Sequence, residues 1–187
     1  MRLFVAADLP VVTRQEIGSV QSRLRPMHLP VRWVAVEGIH LTLKFLGETG
    51  EEMIERLAAG LEEAVAMSAP FRLEPRGLGT FPERGRPRVI WLGLSGDLER
   101  ASDLRDRLES ALGERGVARE ARRFVPHLTL GRVTGPGRGD WRAALDAQAG
   151  IALTRFEVNE IVLFESRLRP EGASYVPLRR LPLRGAA

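Results

Sequence analysis

The tetrapeptide His-Leu-Thr-Leu occurs twice in this chain, at residues 40–43 and again at residues 127–130. The chain has 187 residues and only three histidines, so two of its three imidazoles stand in the same local sequence. Around each copy the pattern runs in one order: a buried strand, an amphipathic helix, the strand with the tetrapeptide, a second helix and further strands. The repetition predicts a duplicated unit with the two tetrapeptides at equivalent places.

Hydrophobic periodicity predicts the individual elements. Apolar residues at helical spacing predict helices over residues 10–24, 53–65, 98–112 and 141–147. Runs rich in β-branched and aromatic residues predict strands over residues 2–9, 31–48, 71–81, 88–96, 124–133, 155–168 and 174–183, with a turn at Arg-Pro-Glu-Gly over residues 169–172.

Strands outnumber helices and the connections are short, so we expect an α+β fold with mainly antiparallel sheets. We expect one bilobal domain over residues 1–187, with halves at about residues 1–86 and 87–187 related by a pseudo-twofold axis. In this prediction two sheets face a central cleft and the helices lie outside.

Side chains alternate between the two faces of a strand, which gives each tetrapeptide a polar side and an apolar side. His40 and Thr42 project together, while the two leucines of the motif point into the core behind them. The same parity holds for His127 and Thr129. If a twofold axis relates the halves, four polar groups converge on one cleft, so the sequence predicts a two-histidine site.

Two facing imidazoles suit in-line displacement at phosphorus, because a neutral one accepts a proton from the attacking oxygen and a protonated one gives a proton to the leaving oxygen. Threonine hydroxyls can donate hydrogen bonds to the non-bridging phosphate oxygens. The alternative is that duplication copied a purely structural strand. A structural copy requires the leucines but not the polar pair, so we favour the catalytic interpretation.

Composition excludes several other chemistries. The chain has no cysteine, which excludes disulfides, thiolate metal sites and cysteine nucleophiles. A zinc site needs a third protein ligand, and the remaining histidine, His28, stands in a loop between prolines, so we expect no metal. No glycine-rich phosphate loop precedes a helix, so we expect no cofactor and no dependence on nucleoside triphosphates.

The apolar run in residues 1–10 is too short for a signal peptide, and no stretch reaches transmembrane length. We therefore expect a cytoplasmic monomer with no membrane partner. The formal net charge is +4, and Lys44 is the only lysine. Arginine binds phosphate well, which favours an RNA or nucleotide partner, although a genome rich in G and C would give the same composition.

The motifs resemble those of the 2H phosphoesterase superfamily, whose mark is two His-x-Thr/Ser-x motifs, usually with hydrophobic residues at x. More closely, the chain is similar to the bacterial and archaeal RNA 2′,3′-cyclic phosphodiesterases, also described as 2′-5′ RNA ligases. The resemblance covers nearly the whole chain and rests on ordered blocks: RLFVAADLP, GIHLTLKFLGE, GLGTFP followed by RPRVIWLGL, FVPHLTLGR and EIVLFESRL.

The resemblance implies a bilobal fold whose terminal strands belong to one lobe, and a reaction that opens a 2′,3′-cyclic phosphate to leave a 2′-phosphomonoester. By family analogy His40 is the acid that protonates O3′ and His127 is the base that activates water. The sequence itself does not assign these roles, because pseudo-symmetry allows either histidine to play either part. In the reverse reaction, 2′-5′ RNA ligation, the roles are exchanged.

Four further residues are candidates for substrate binding. Arg132 can pair with phosphate, but its strand parity points away from His127, so a bulge or the strand end must intervene. Lys44 shares the parity of His40 and can line the cleft, or it is an ordinary exposed lysine. Phe45 and Phe124 can stack on a base, or they belong to the core, to which we also assign Trp33 and Trp91.

Two other functions remain open at this stage. One is a different 2H phosphodiesterase reaction, on cyclic ADP-ribose phosphate, on 2′-5′ oligoadenylate or on a tRNA-splicing end. The other is a non-catalytic RNA-binding module that has kept the cleft. The intact histidines and threonines argue against the second.

Overall fold

The structure is a computed structural model that describes residues 1–135, 140–169 and 172–186. Its four helices are α1 (Val11–Leu24), α2 (Ile54–Ala66), α3 (Leu98–Gly113) and α4 (Trp141–Asp146). Its nine strands are β1 (Arg2–Ala7), β2 (Val31–Trp33), β3 (Leu41–Glu48), β4 (Phe71–Phe81), β5 (Val89–Gly96), β6 (His127–Val133), β7 (Phe156–Val158), β8 (Glu160–Arg169) and β9 (Gly172–Pro182). Short 3₁₀ turns cover Arg25–Met27, Val36–Gly38 and Glu51–Met53.

All nine strands belong to one antiparallel sheet in the order β7-β4-β5-β6-β3-β1-β8-β9, with β2 paired to the free part of β6. The α+β class and the antiparallel pairing predicted from the sequence are therefore confirmed. The two predicted sheets are the two halves of this single sheet, β7-β4-β5-β6 and β3-β1-β8-β9. The predicted turn at residues 169–172 includes residues 170 and 171, which lie outside the described residues.

The two halves of the sheet meet at one point. Within the described residues, strands β3 and β6 pair only through Leu41 and Leu128, the first leucines of the two tetrapeptides. Each motif strand pairs on its other side with the first strand of its own repeat, β3 with β1 and β6 with β5. The Leu41–Leu128 pair, called the seam below, thus joins the two halves of the sheet.

The two faces of the sheet differ in what covers them. All four helices contribute to one large apolar core on the first face, together with alternate strand residues such as Leu3 and Val5. The opposite face carries a small separate cluster: Phe4, Ala6, Val162, Phe164 and Tyr175. This second face, which lies opposite the helices, is called the open face below.

Within the described part of the chain, no helix is both long enough and apolar enough to cross a membrane.

Candidate active site

The two tetrapeptides have the alternation that their sequence predicts. Their leucines, Leu41, Leu43, Leu128 and Leu130, are at most 4% exposed and lie in the main core. The histidines and threonines between them are half-buried. Extending the Leu41–Leu128 register by one residue in each direction sets Thr129 across from His40, and Thr42 across from His127.

His40, directly before β3, is enclosed by aromatic rings on the open face. Its imidazole stacks on Phe4 at a centroid distance of 4.7 Å and meets the edge of Tyr175 at 5.1 Å. Burial lowers the pKa of His40 to about 4, against the smaller opposing effects of a hydrogen bond to the Gly38 backbone and of the nearby Asp8 carboxylate. The free protein therefore holds this imidazole neutral at pH 7.

The backbone segment that precedes His40 is held in place by Arg14 of α1. The guanidinium Nη1 lies 2.8 Å from the carbonyl oxygen of Val36, 2.9 Å from that of Glu37 and 3.1 Å from that of Ile39. It also pairs with the Asp8 carboxylate at the end of β1. The Val36 carbonyl also accepts a hydrogen bond from the Ile39 backbone, and Arg14 adds a donor to all three carbonyls, so it orders the backbone directly upstream of the imidazole.

His127, the first residue of β6, has a related environment. Its Nδ1 lies 2.7 Å from the Val125 carbonyl oxygen, and because only a protonated nitrogen can donate to that oxygen, Nε2 is the free nitrogen of the neutral ring. Phe81 meets the ring edge-on at 5.0 Å, and Trp91 lies at 6.1 Å. Burial also lowers the pKa of His127. Each imidazole therefore has a backbone hydrogen-bond partner two residues upstream, Gly38 for His40 and Val125 for His127.

The threonine hydroxyls are available for a ligand. Neither Thr42 nor Thr129 forms a side-chain hydrogen bond with any residue that the structure describes, although both are half-buried. The threonine hydroxyls can donate hydrogen bonds, and the free imidazole nitrogen of His127 can accept a proton. These groups lie on the open face around the Leu41–Leu128 pair.

A β-bulge at the last residue of the first motif changes the side on which the next residues lie. Thr42 pairs with Ala6 and Lys44 with Val5, which leaves Leu43 as an extra residue in β3. Lys44 therefore turns to the helix side, and Phe45 turns to the open face, where its ring lies 6.2 Å from that of Phe4 and is 61% exposed.

The prediction that Lys44 lines the cleft is therefore wrong. Its side chain is 2% exposed, and Nζ lies 2.8 Å from Glu109 Oε2 and 2.6 Å from the Ala118 carbonyl oxygen. Glu109 Oε2 also accepts a hydrogen bond from the Glu120 backbone, and Arg105 lies 3.3 Å from its other oxygen. This group of Lys44, Glu109, Arg105, Ala118 and Glu120, the Lys44 cluster, ties β3 to the segment that leads into His127.

The second motif strand has the equivalent bulge. Thr129 pairs with Trp91 and Gly131 with Ile90, so Leu130 is the extra residue of β6. Its carbonyl oxygen accepts hydrogen bonds from the Val34 backbone at 2.9 Å and the buried Gln21 side chain at 3.0 Å, which fix the bulge. The bulge is the one that Arg132 required: Arg132 pairs with Val89, two residues from Trp91, and lies exposed on the open face.

Phe45 and Arg132 are thus equivalent positions of the two repeats, each brought to the open face by a bulge. The fourth candidate, Phe124, lies elsewhere. Its ring is half-buried against the main core, and the guanidinium of Arg105 lies 6.0 Å from its centroid on the helix side. The interpretation of Phe124 as a base-stacking residue is therefore contradicted by its position.

Several residues of the open face were not singled out from the sequence. Trp91, assigned above to the core, lies beside His127, with its ring so close to Gly79 that a Cβ there would meet it at 2.2 Å. Phe4, Phe81 and Tyr175 surround the two imidazoles. The apolar run Val-Ile-Trp-Leu of β5 hides its alternation, because both faces of that strand carry apolar residues.

The lowered pKa of His40 predicts how stability depends on pH. The ordinary pKa of 6.5 in the unfolded chain falls to about 4 in the folded protein, so the unfolded chain binds more protons between these values. The unfolding free energy must then fall with decreasing pH across this window, by about 3 kcal/mol from this group. Urea unfolding of wild type and His40→Gln between pH 7 and 4 measures it. We expect a shallower decline in the variant, and parallel curves would contradict the prediction.

Comparison with known proteins gives one consistent result. Residues 12–169 match the sequence model of the 2′-5′ RNA ligase superfamily. A protein of Methanothermobacter thermautotrophicus named RNA 2′,3′-cyclic phosphodiesterase is 34% identical over 179 residues, which cover 95% of this chain and 96% of that protein. A protein of Thermus thermophilus with the same name is 35% identical over 192 residues, which cover 99% of this chain and 91% of the other.

Solved structures agree in fold. A crystal structure of a Thermus thermophilus protein superposes with a TM-score of 0.79 at 34% identity, covering 100% of both chains. The crystal structure of E. coli LigT complexed with 3′-AMP also superposes with a TM-score of 0.79, at 27% identity and 97% coverage of each chain.

Proposed function

The chain belongs to the 2′-5′ RNA ligase superfamily, and on that premise we propose that it is a metal-independent RNA 2′,3′-cyclic phosphodiesterase, which leaves a 2′-phosphomonoester. The observation that carries the proposal is the meeting of two His-x-Thr pairs on the open face, on either side of the Leu41–Leu128 bridge. Relatives with this activity in their names match over nearly their whole length.

In the proposed reaction His127 is the base. Its Nδ1 is bonded to the Val125 carbonyl oxygen, so the unprotonated Nε2 accepts a proton from water as the water oxygen attacks phosphorus. The P–O3′ bond breaks, and His40 gives its proton to O3′. The products are a 2′-phosphomonoester and a 3′-hydroxyl. Each proton transfer contributes roughly a hundredfold to ten-thousandfold in rate.

His40 must be protonated to act as the acid, although burial holds its pKa at about 4 in the free protein. The negative charge of a bound phosphodiester favours the imidazolium, and Asp8 acts in the same direction. Substrate binding therefore favours the protonated form of His40, which can then act as the acid. Thr42 and Thr129 donate hydrogen bonds to the non-bridging oxygens of the phosphate.

Two of the four predicted binding residues keep that role in the proposal. Arg132 binds substrate phosphate, since it is an exposed cation on the open face. Phe45 supplies an exposed aromatic surface for a base, next to the ring of Phe4.

The same groups can ligate RNA when a 5′-hydroxyl takes the place of water, which forms a 2′-5′ linkage as the P–O3′ bond breaks. His127 then accepts the proton of the 5′-hydroxyl and His40 again protonates O3′, so ligation keeps the roles of hydrolysis, contrary to the expectation from the sequence. The roles are exchanged only when a 2′-5′ linkage is cleaved back to the cyclic phosphate and a 5′-hydroxyl, because each histidine must then return the proton that it moved.

The proposal is tested by incubating the protein with a short RNA that ends in a 2′,3′-cyclic phosphate, in excess chelator, and identifying the end group. We expect a 2′-phosphate. A 3′-phosphate, loss of turnover in chelator, or no turnover by folded protein would contradict the proposal. Parallel incubations with cyclic ADP-ribose phosphate and 2′-5′ oligoadenylate test the other 2H reactions, and binding of the RNA without turnover would indicate a binding module.

A further inference from the structure

Two arginines face each other on the open face beside the seam. Strand β2 pairs with β6 so that Arg32 lies directly across from Arg132. The neighbours of Arg32, Val31 and Trp33, pack against the main core, so Arg32 points to the open face, as Arg132 does. Both arginines are exposed, and neither forms an ion pair with any described residue.

This arrangement is unfavourable for the sheet in the absence of a ligand. Like charges directly opposite one another on neighbouring strands destabilise the pair, and here no carboxylate within the described ranges offsets them. The next groups along the same end of β6 are also basic, since Arg86 and Arg88 line a groove of about 690 Å³ together with Val133. An anion held between the two guanidinium groups would remove the repulsion.

The arginine pair lies at some distance from the place where the reacting phosphate binds. Arg132 follows Thr129 by three residues, which is about 10 Å along the strand. Because β3 and β6 are antiparallel and Thr129 lies across from His40, this part of β6 extends from the His40 end of the site. In the proposed reaction His40 protonates O3′, so the terminal ribose, and the RNA attached to its C5′, lie toward the same end.

We propose that Arg32 and Arg132 together bind the internal phosphodiester that precedes the cyclic end of the RNA. The inference rests on the proposed function and adds the substrate class to it: the protein prefers a polynucleotide end to a cyclic mononucleotide. Arg32 is a specificity-determining residue, since the second phosphate exists only in the longer substrate.

The experiment compares kcat/KM for adenosine 2′,3′-cyclic phosphate with that for the dinucleotide adenylyl-(3′→5′)-adenosine 2′,3′-cyclic phosphate. Wild type should favour the dinucleotide by about tenfold or more, the equivalent of one charge-assisted hydrogen bond. Arg32→Gln should lower this ratio by about tenfold, and Arg32→Lys, which keeps the charge but loses the fork, by less. Arg107→Gln, an exposed arginine of α3 on the helix side, is the matched control and should keep the wild-type ratio.

A thermal unfolding measurement separates binding from structure. Since Arg32→Gln removes a like-charge contact, its Tm should equal or exceed that of wild type. A lower Tm, an unchanged ratio, or an equal loss for both compounds would overturn the arginine site while leaving the phosphodiesterase in place. If the wild type hydrolyses neither compound, the proposed function is wrong and the inference falls with it.

Discussion

Replacing either motif histidine by asparagine should lower kcat for a cyclic-phosphate RNA by between about a hundredfold and ten-thousandfold, because asparagine cannot carry the transferred proton. The double variant His40→Asn, His127→Asn should lose little more than the worse single variant. The two imidazoles act in one step, so the loss of either already forfeits the concerted proton transfer. Single-turnover kinetics at pH 7 with saturating RNA measure the effect on chemistry.

The third histidine provides the matched control. His28 is exposed, and its backbone has φ of 50°, a left-handed conformation that asparagine tolerates well. His28→Asn should therefore keep wild-type kcat and Tm. Turnover that survives in both motif variants, or that falls equally in His28→Asn, would contradict two-histidine catalysis.

The largest effect on stability is expected for Lys44→Met. The substitution leaves the buried Glu109 carboxylate with the Glu120 backbone hydrogen bond and, among the described residues, with Arg105 as its one cation partner. Arg105 lies 3.3 Å from Glu109 Oε1, and that oxygen accepts no hydrogen bond from the described residues. Removing one partner of a buried ion pair typically costs about 3–5 kcal/mol, and the remaining Arg105 favours the lower end of that range. Urea unfolding at pH 7 gives the loss in unfolding free energy.

The partner substitution identifies the cause of that loss. In Lys44→Met with Glu109→Gln the uncompensated buried charge is absent, while an amide oxygen can still accept the Glu120 backbone hydrogen bond. The double variant should therefore be more stable than Lys44→Met alone. Arg107→Met, an exposed change on the same helix, should shift stability by less than about 0.5 kcal/mol. An additive double variant would mean that the Lys44–Glu109 contact contributes nothing.

The helices and the alternation of side chains could be predicted from the hydrophobic periodicity of the sequence. The predicted helix over residues 10–24 is α1, Val11–Leu24, and the one over 98–112 is α3, Leu98–Gly113. The alternation of histidine, leucine and threonine in each tetrapeptide is also present, because these three residues come before the bulge. Such signals are local, and one face of each element faces a single apolar core.

The positions that could not be predicted lie just beyond these three residues of each tetrapeptide. One extra residue in a strand reverses the side of every residue after it, and Leu43 and Leu130 have nothing in their own identity that marks a bulge. Lys44 was therefore placed on the wrong face. For Arg132 the reversal could be stated as a requirement, because a functional argument demanded the open face, but its cause lies in Gln21 and Val34, far away in sequence.

The place of β1 in the sheet constrains when this half of the protein can fold during synthesis. Strand β1, Arg2–Ala7, lies between β3 and β8, and β8 begins only at residue 160. The half that carries His40 consequently stays open on one side until β8 has been translated, more than 150 residues after β1. Pairings of such long sequence separation are slow to form, so we expect the edge of β1 to stay exposed to other nascent chains until β8 is synthesised.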